Sequence, residues 1–511
     1  MSQFAVTNPA TGEALYTVTA ASAAQCQVIM ASARAAAEAL RDIPLSVRLQ
    51  ALDALLDYLR QHRERLLDQI VAESGRSRGD AMLSDLFQLT EDCLWLRHHA
   101  ARLLADDTVP TPISLLGKRS RILYEPRGVV LVISPWNLPL AIGMTAAMFA
   151  LVAGNAVVLK PSEHTPMREV LDEIRALHPL LSQALHVVHG DGRAGEALIE
   201  AGPDLIAFTG SLATGQRIMR RAADQVIPVL MELGARDPML VFDDADLPRA
   251  VAAACWGNLH NSGQSCTAIE QLWVQDGVFD IVLEQLVAAS AAVRLGTDAN
   301  ADLGVLTTDF QMRHVCALVD DALAQGATLH CGGRRSECGR YYLPTVLTGV
   351  TTAMRISHEE IFGPVLVMQP FTSEAEIIAR HNACATGLST SVWTADKQRA
   401  ERLTRALATG CININNVMLT EGNAGLPFGG VRRSGFGRMK GAEGLRGMTR
   451  SKAVLTDPTR GKPEPNWYPY SAEKLALTGE LLDLLGQRGP MRWLRLIRVA
   501  LKIDRLTGRA R

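Results

Sequence analysis

Residues 128–164 read "GVVLVISPWNLPLAIGMTAAMFALVAGNAVVLKPSEH". Two short β-branched runs, GVVLVIS (128–134) and AVVLK (156–160), enclose a helix-length apolar segment over 138–153. The SPWNLP insert breaks the apolar run, so it reads as strand, helix and strand buried in a protein interior, not as a membrane span. The alternation continues. ALHVVHG (184–190), LIAFTG (205–210) and VIPVLMELG (226–234) are further short strands, with helices expected over 166–178, 193–201 and 214–224. Strands alternating with helices predict an α/β fold built on a parallel, doubly wound sheet covered on both faces.

Upstream, residues 20–105 read as Ala- and Leu-rich helices. Within 48–74, Leu52, Leu55, Leu56, Leu59, Leu66 and Ile70 recur at helical spacing. Residues 108–124 look like two strands around a Gly117-Lys118 turn. A second α/β block is expected from about 235 to 430. After it, "TDPTRGKPEPNWYPY" (456–470) contains four prolines and reads as a linker, because proline donates no backbone hydrogen bond.

The whole chain sets bounds on function. Its 511 residues exceed a single core, and 48% hydrophobic with 21% charged residues is a globular composition. A net charge of −1 argues against a nucleic-acid binder that relies on a global basic field. The nine cysteines show no CxxC pair, which fits free thiols in a reducing compartment and no metal site. The start, "MSQFAVTNPATGEALYTV", has no basic and apolar leader pattern, so a cytoplasmic location is expected.

Parallel sheets present ligand sites at the carboxyl ends of their strands. Four polar elements fall there: Trp136-Asn137 after the first strand, Lys160 and Glu163 after the second, Gly210-Ser211 after the fourth, and Glu232 at the end of the fifth. Together they predict a site. A G-x-G-x-x-G also occurs at Gly190, Gly192 and Gly195, but it follows the third strand and no acidic residue closes a strand at the expected distance. A tight strand-to-helix turn is the simpler account.

Cys266 stands in "NLHNSGQSCTAIE" (258–270), where small and polar neighbours suit an open approach to sulfur. A thiolate is a strong nucleophile if a base and oxyanion donors are supplied. His260, six residues upstream, offers a Cys–His hydrolase alternative, although the helical pattern of 246–260 points it elsewhere. Cys255 reads as a core thiol.

These residues also carry a resemblance. SPWNLP, LKPSE, FTGS, MELG, GQSC, EEIFGP and PFGGVRRSGFGR occur in order, and residues 5–455 resemble the NAD(P)-dependent aldehyde dehydrogenase superfamily. The resemblance implies a dinucleotide-binding domain (1–107 and 125–233), a catalytic domain (234–430) and β-hairpin oligomerisation strands (108–124 and 445–455), with 456–511 as an extension. It implies a homodimer or homotetramer. It makes Cys266 the nucleophile, Asn137 with the Cys266 N–H the oxyanion donors, and Glu232 the general base for thioester hydrolysis. Ser134, Trp136, Lys160, Glu163, Gly210, Ser211, Leu233, Glu360 and Phe362 would bind the cofactor. A carboxylate at Glu163 accepts from both ribose hydroxyls and repels a 2′-phosphate, so NAD is expected over NADP. Two departures stand out: Ala235 replaces a second glycine after the base, and Gln271 replaces an arginine five positions after the nucleophile.

Residues 487–511 carry eight basic residues and one acid, +7, leaving −8 for the remainder. Arg492, Arg495, Arg498, Lys502 and Arg505 fall in one helical arc of about 140°. The other side holds Trp493, Leu494, Leu496, Ile497, Ala500, Leu501 and Ile503. Such a helix reads as a peripheral membrane contact at the inner face, or as packing on a subunit or its own body. The tail and the SPWNLP variant resemble bacterial members grouped with diapolycopene-dialdehyde oxidisers, which implies an apolar aliphatic or aromatic aldehyde. The loop "NNVMLTEGNAGLP" (415–427) has no Arg or Lys to clamp a carboxylate, in line with a neutral substrate. Two rivals remain: a CoA-acylating enzyme, and a non-catalytic binding protein on the same fold.

Overall fold

A computed structural model describes residues 2–112, 115, 117–458, 460, 463–489 and 491–509. Positions 113, 114 and 116 of the hairpin, 459, 461 and 462 of the linker, and 490, 510 and 511 of the tail therefore lie outside the described residues. Two compact units are present: 1–104 with 125–450, and 105–124 with 451–511.

The first unit contains two large sheets. Six strands run in the order Gly435–Phe436, Val229–Leu233, Leu205–Gly210, Val129–Ile133, Ala156–Lys160 and Leu185–Val187. All neighbours are parallel except the edge strand Gly435–Phe436, which pairs antiparallel to Val229–Leu233. The chain starts in the middle, adds two strands on one side, and returns to add Leu205–Gly210 on the other. The reversal opens a crevice between the carboxyl ends of Val129–Ile133 and Leu205–Gly210, the position where doubly wound sheets bind ligands. Strands Ala156–Lys160 and Leu205–Gly210 coincide with the sequence expectation, and the helices Ala141–Val152, Arg168–Ala176, Gly192–Glu200 and Leu212–Asp224 lie within two or three residues of it. The 184–190 run is shorter than expected, because Pro179–Ala184 is helical and leaves only Leu185–Val187 to pair.

The second sheet has seven strands, ordered Thr328–Cys331, Thr345–Thr348, Val365–Phe371, Ile269–Gln275, Asp237–Val241, Ser389–Trp393 and Cys411–Ile414. Only its first pair is antiparallel. Asp237–Val241 is buried throughout, as the central strands of a sheet covered on both faces must be.

Three local features depart from the sequence reading. The periodic stretch 48–74 is two helices, Leu45–Gln61 and Arg63–Ser74, broken at His62. The Gly117-Lys118 turn is present, with Lys118 N donating to the Leu115 carbonyl at 3.1 Å and Gly117 left-handed, but it does not join the strands directly: Asp107–Val109 pairs with Arg119–Pro126 in the register Val109↔Ser120, leaving a long connection. Pro110 and Pro112 explain it, since neither can donate to a ladder. Residues 445–447 finish the helix Gly441–Gly447, and the strand Thr449–Thr456 begins after it.

In the second unit, helices Ala472–Gly486 and Met491–Arg509 pack through Leu484, Leu496, Val499 and Ile503. The apolar side of the last helix is thereby split. Leu496 and Ile503 are buried on the first helix, while Trp493, Leu494, Ile497 and Leu501 are exposed. Among the described residues no helix is long and apolar enough to cross a membrane.

A buried ion pair ties the helical layer to the crevice. Arg76 and Asp85 side chains are fully buried and paired, and Asp85 Oδ1 accepts from the backbone N–H groups of Leu140 (3.0 Å) and Ala141 (2.8 Å). Asp85 sits in a π-helical turn, Met82–Phe87, and caps the helix that follows SPWNLP. Asp85→Ala leaves Arg76 charged, buried and unpaired. It should lower unfolding free energy by about 3–5 kcal/mol, read from the midpoint of denaturant-induced unfolding.

Candidate active site

The loop that carries Cys266 follows the helix Leu247–Leu259 and precedes the strand Ile269–Gln275. Asn261, Ser262 and Gly263 are all left-handed, with φ of 52°, 56° and 71°. A left-handed conformation costs a non-glycine residue roughly 1–2 kcal/mol, so neighbours must hold this one. Asn261 N donates to Asp80 Oδ2 (3.0 Å), Ser262 Oγ to the Gly304 carbonyl (2.9 Å), and Thr307 N to Gln264 Oε1 (2.9 Å). A Cβ on Gly263 would sit 2.1 Å from the Gly363 carbonyl oxygen, so only glycine fits there.

The polar neighbours of Cys266 are therefore not an open surface. Asn261, Ser262, Gln264 and Ser265 are all buried, and most of their hydrogen bonds go to backbone groups. Their work is to fix the loop. The sulfur itself is half-buried and looks into two cavities, one of about 590 Å³ and one of about 980 Å³, with Cys266 and Glu232 lining both.

Asn137 joins this loop from the first sheet. Its Nδ2 donates to the Gln264 carbonyl at 2.9 Å, and its own carbonyl accepts from Asn261 Nδ2 at 3.1 Å. One amide N–H is thus spent orienting the side chain, and the other is available to a third atom.

Glu232 ends the strand Val229–Leu233, where it stands opposite Thr209 on one side and Gly435 on the other. It is 3% exposed, and its Oε1 has no hydrogen-bond partner. Burial pushes its carboxyl up to about 8, with Glu421 and Glu360 adding to the rise and the nearby Cys266 thiol opposing it. Burial also pushes the Cys266 thiol well above its ordinary value, and Glu232 and Glu421 act in the same direction. The resting pair is therefore neutral near pH 7.

The smaller cavity runs over the carboxyl ends of the first sheet. Ser134, Trp136, Asn137, Lys160, Glu163, Gly210, Ser211, Glu232, Glu360 and Phe362 all line it, as the sequence reading expected. Lys160 is buried with Nζ 3.6 Å from Glu163 Oε2, and burial lowers its ammonium. Trp136 meets Phe362 edge-on at 5.4 Å. Ser134 Oγ and Thr209 Oγ1 are buried without a partner within the protein. Leu233 is the exception: its side chain packs beneath Gly215 in the core, because alternate residues of a strand face opposite ways.

The glycine motif at 190–195 is a strand-to-helix turn in which Asp191 caps the helix Gly192–Glu200. That helix nevertheless contributes Gly192, Gly195 and Glu196 to the cavity wall. His260 lines the larger cavity, but it lies 2.7 Å from Asp80 Oδ1 through Nδ1 and its Nε2 bonds Ser84 Oγ, so both ring nitrogens are engaged elsewhere than at the thiol. Cys255 is half-buried against the second sheet's core.

Several residues gave no sequence signal. Glu270 Oε1 accepts from both Ile361 N and Phe362 N at 2.8 Å, which sets the EEIFGP turn. Phe310 and His314 add to the smaller cavity. Both departures from the family pattern are absorbed locally. Ala235 N donates to Glu360 Oε1 (3.1 Å), and Gln271 Nε2 donates to the Arg236 carbonyl (2.8 Å) while the Arg236 guanidinium lies 3.8 Å from Glu270.

Comparison with known proteins is decisive at this point, since the model of the aldehyde dehydrogenase family matches residues 1–454. The chain belongs to the aldehyde dehydrogenase family. A 4,4'-diapolycopene aldehyde oxidase of Methylomonas sp. is 40% identical over 474 residues, 92% of this dehydrogenase and 89% of the relative. The NAD+ complex of an aldehyde dehydrogenase from Bacillus cereus superposes with a TM-score of 0.84 at 31% identity, covering 90% of this chain and 94% of that one. An NADP-dependent enzyme of E. coli gives 0.85 at 31% identity, covering 89% and 95%.

The coupled burial of Cys266 and Glu232 has a measurable sign. Alkylation of Cys266 by iodoacetamide should be slow at pH 7 and rise about tenfold per pH unit toward pH 9. Because the Glu232 carboxylate raises the thiol, Glu232→Gln should speed labelling severalfold at pH 9. Slower labelling would make Glu232 the thiol's base in the free enzyme.

Proposed function

We propose that this enzyme oxidises a neutral, apolar aldehyde to its carboxylic acid with NAD, through covalent chemistry on Cys266. The observation that carries the proposal is the meeting of two cavities at Cys266 and Glu232. One cavity can hold a dinucleotide and the other an aldehyde, with the sulfur between them.

The smaller cavity suits a dinucleotide by its own chemistry. It offers the N-termini of two helices, Gly192–Glu200 and Leu212–Asp224, for a pyrophosphate, and unpartnered hydroxyls at Ser134 and Thr209. Lys160 and Glu163 would hold the adenosine ribose, and the Glu163 carboxylate favours NAD over NADP. Trp136, Glu360 and Phe362 would hold the nicotinamide end, with Gly210 and Ser211 at the pyrophosphate; Leu233 would contribute backbone only. Bound NAD supplies the acceptor for the hydride that leaves the substrate carbon. In this reading the first sheet, with 1–107 and 125–233, is the dinucleotide domain and 234–430 the catalytic domain.

The chain's own groups do the rest. The Cys266 thiol loses its proton to solvent water, the thiolate sulfur adds to the aldehyde carbon, and the carbonyl electron pair moves to oxygen, where Asn137 Nδ2 and the Cys266 N–H donate to it. Such a donor is worth roughly two to three orders of magnitude in rate. After loss of hydride, Glu232 takes a proton from water, the hydroxide attacks the thioester carbon, and the carbon–sulfur bond breaks with the sulfur leaving as thiolate. A carboxylate near 8 is well matched to that proton transfer.

Substrate class follows from the larger cavity. Leu138, Met418, Phe428 and Met439 line it, and four further lining residues, Leu83, Phe87, Trp256 and Leu419, are apolar yet solvent-exposed. A long apolar aldehyde would cover them. The named activity of the Methylomonas relative is of that kind. Lys440 also lines this cavity, a cation outside the 415–427 loop, but it lies 3.3 Å from Asp92.

With NAD and decanal or benzaldehyde, the enzyme should form NADH without coenzyme A. Cys266→Ser should lower turnover at least about 10³-fold. Glu232→Gln should release one NADH per site and then stall at the thioester. A requirement for coenzyme A would identify an acylating enzyme, and no NADH over a broad aldehyde panel would favour a non-catalytic role.

We also infer a cytoplasmic homodimer or homotetramer with a peripheral contact to anionic membranes through 487–511. Exposed Trp493, Leu494, Ile497 and Leu501 flank the basic arc of Arg495, Arg498, Lys502 and Arg505, which suits an interfacial helix. Neutralising Arg495, Arg498 and Lys502 together to Gln should abolish co-sedimentation with phosphatidylglycerol vesicles while NADH formation persists. Sedimentation equal to wild type would overturn the membrane reading.

A further inference from the structure

The larger cavity holds charges that aldehyde oxidation does not use. Among its described lining residues Lys440 is the one lysine or arginine, against the carboxyl groups of Glu91, Asp92 and Glu421, besides the base Glu232. The Lys440 ammonium is already engaged: Nζ lies 3.3 Å from Asp92 Oδ2 and donates to the Glu421 backbone carbonyl at 2.7 Å. Asp92 in turn accepts from Thr145 Oγ1 (2.7 Å) and Gln88 Nε2 (3.0 Å). No lysine or arginine among those residues is left for a ligand; of the histidines that also line the cavity, His98, His99 and His260, the last is held by Asp80 and Ser84.

Glu421 is placed at the reaction centre. Its Oε2 accepts from Thr267 Oγ1 at 2.8 Å, and Thr267 directly follows the nucleophile. It lines the same wall as Cys266 and Glu232 and raises both; burial raises its own carboxyl, while the Thr267 hydrogen bond, the Lys440 ammonium and His260 favour its charged form.

We propose that Glu421 is a specificity-determining residue that keeps anionic aldehydes, and the carboxylate product, from settling against Cys266. The inference rests on the larger cavity being the aldehyde side. An aldehyde of four to six carbons that ends in a carboxylate must lay that charge within the cavity once its carbonyl reaches the sulfur. There it meets Glu421 and an ammonium already paired. Rejection of a wrong ligand by a like charge is a recognised route to specificity, and one like charge in a partly buried pocket is worth about tenfold or more. The same repulsion acts on the acid released at Cys266, because oxidation converts a neutral ligand into an anion at the place where anions are least stable.

The test is a matched pair, 6-oxohexanoate and its methyl ester, which differ by one charge. Wild type should prefer the ester at least about tenfold in kcat/KM. Glu421→Gln should shrink that preference about tenfold and strengthen inhibition by decanoate relative to decanamide, whereas Glu421→Asp, which keeps the charge, should stay close to wild type. A wild-type preference for the oxo acid overturns the proposal, and this holds even if Glu421→Gln fails to fold. An unchanged ratio in a folded Glu421→Gln also overturns it. NADH formed from decanal with a wild-type ester-to-acid ratio near one refutes only this inference. A wild type silent on decanal and on both partners of the pair refutes the aldehyde reading itself.

Discussion

Everything at the centre of this molecule depends on a carboxyl group kept dry beside a thiol. Glu232 is 3% exposed near the end of the strand Val229–Leu233, and Cys266 approaches it on the loop that leads into a strand of the other sheet. Water around either group would return both to ordinary values, and the carboxyl would then be a weaker base. The fold supplies dryness by topology, since the crevice at the sheet's reversal is roofed by the loop that carries the sulfur. Asn137 Nδ2 donates to the Gln264 carbonyl and Asn261 Nδ2 to the Asn137 carbonyl, and these two bonds join roof to crevice.

The outline of this arrangement is legible from the chain. Strands such as Ala156–Lys160 and Leu205–Gly210 are short, β-branched and flanked by turn residues, so pattern alone locates them. The polar residues at their carboxyl ends follow from the geometry of parallel sheets and line the smaller cavity; of the cofactor residues that the resemblance implies, Leu233 is the one outside its wall. Leu233 misleads because a motif such as MELG conveys neighbours in sequence, whereas a strand sends neighbours to opposite faces.

What stayed hidden was long-range. Glu270 reads as an ordinary acid in TAIEQ, yet it holds the backbone of residues 361 and 362, some ninety positions away. Glu421 sits in a loop that the sequence marks only as lacking basic residues, and Lys440 comes from beyond it. The polar residues before Cys266 suggest openness by composition, although most of their hydrogen bonds go to holding the loop with its three left-handed residues. No local pattern records which distant backbone groups a buried side chain will satisfy.

The short edge strand Gly435–Phe436 carries a consequence for the PFGGVRRSGFGR segment. Gly435 lies directly against the strand that holds the base, and a Cβ there would fall 2.0 Å from the Met231 carbonyl oxygen. This glycine-rich run is thus a seal: it occupies the hydrogen-bonding rim that would otherwise admit solvent to Glu232 or recruit a foreign strand. Damage to the seal would be felt first as a wetter, more acidic carboxyl and only afterwards as a loss of fold, so a lesion remote from the sulfur would masquerade as a chemical one.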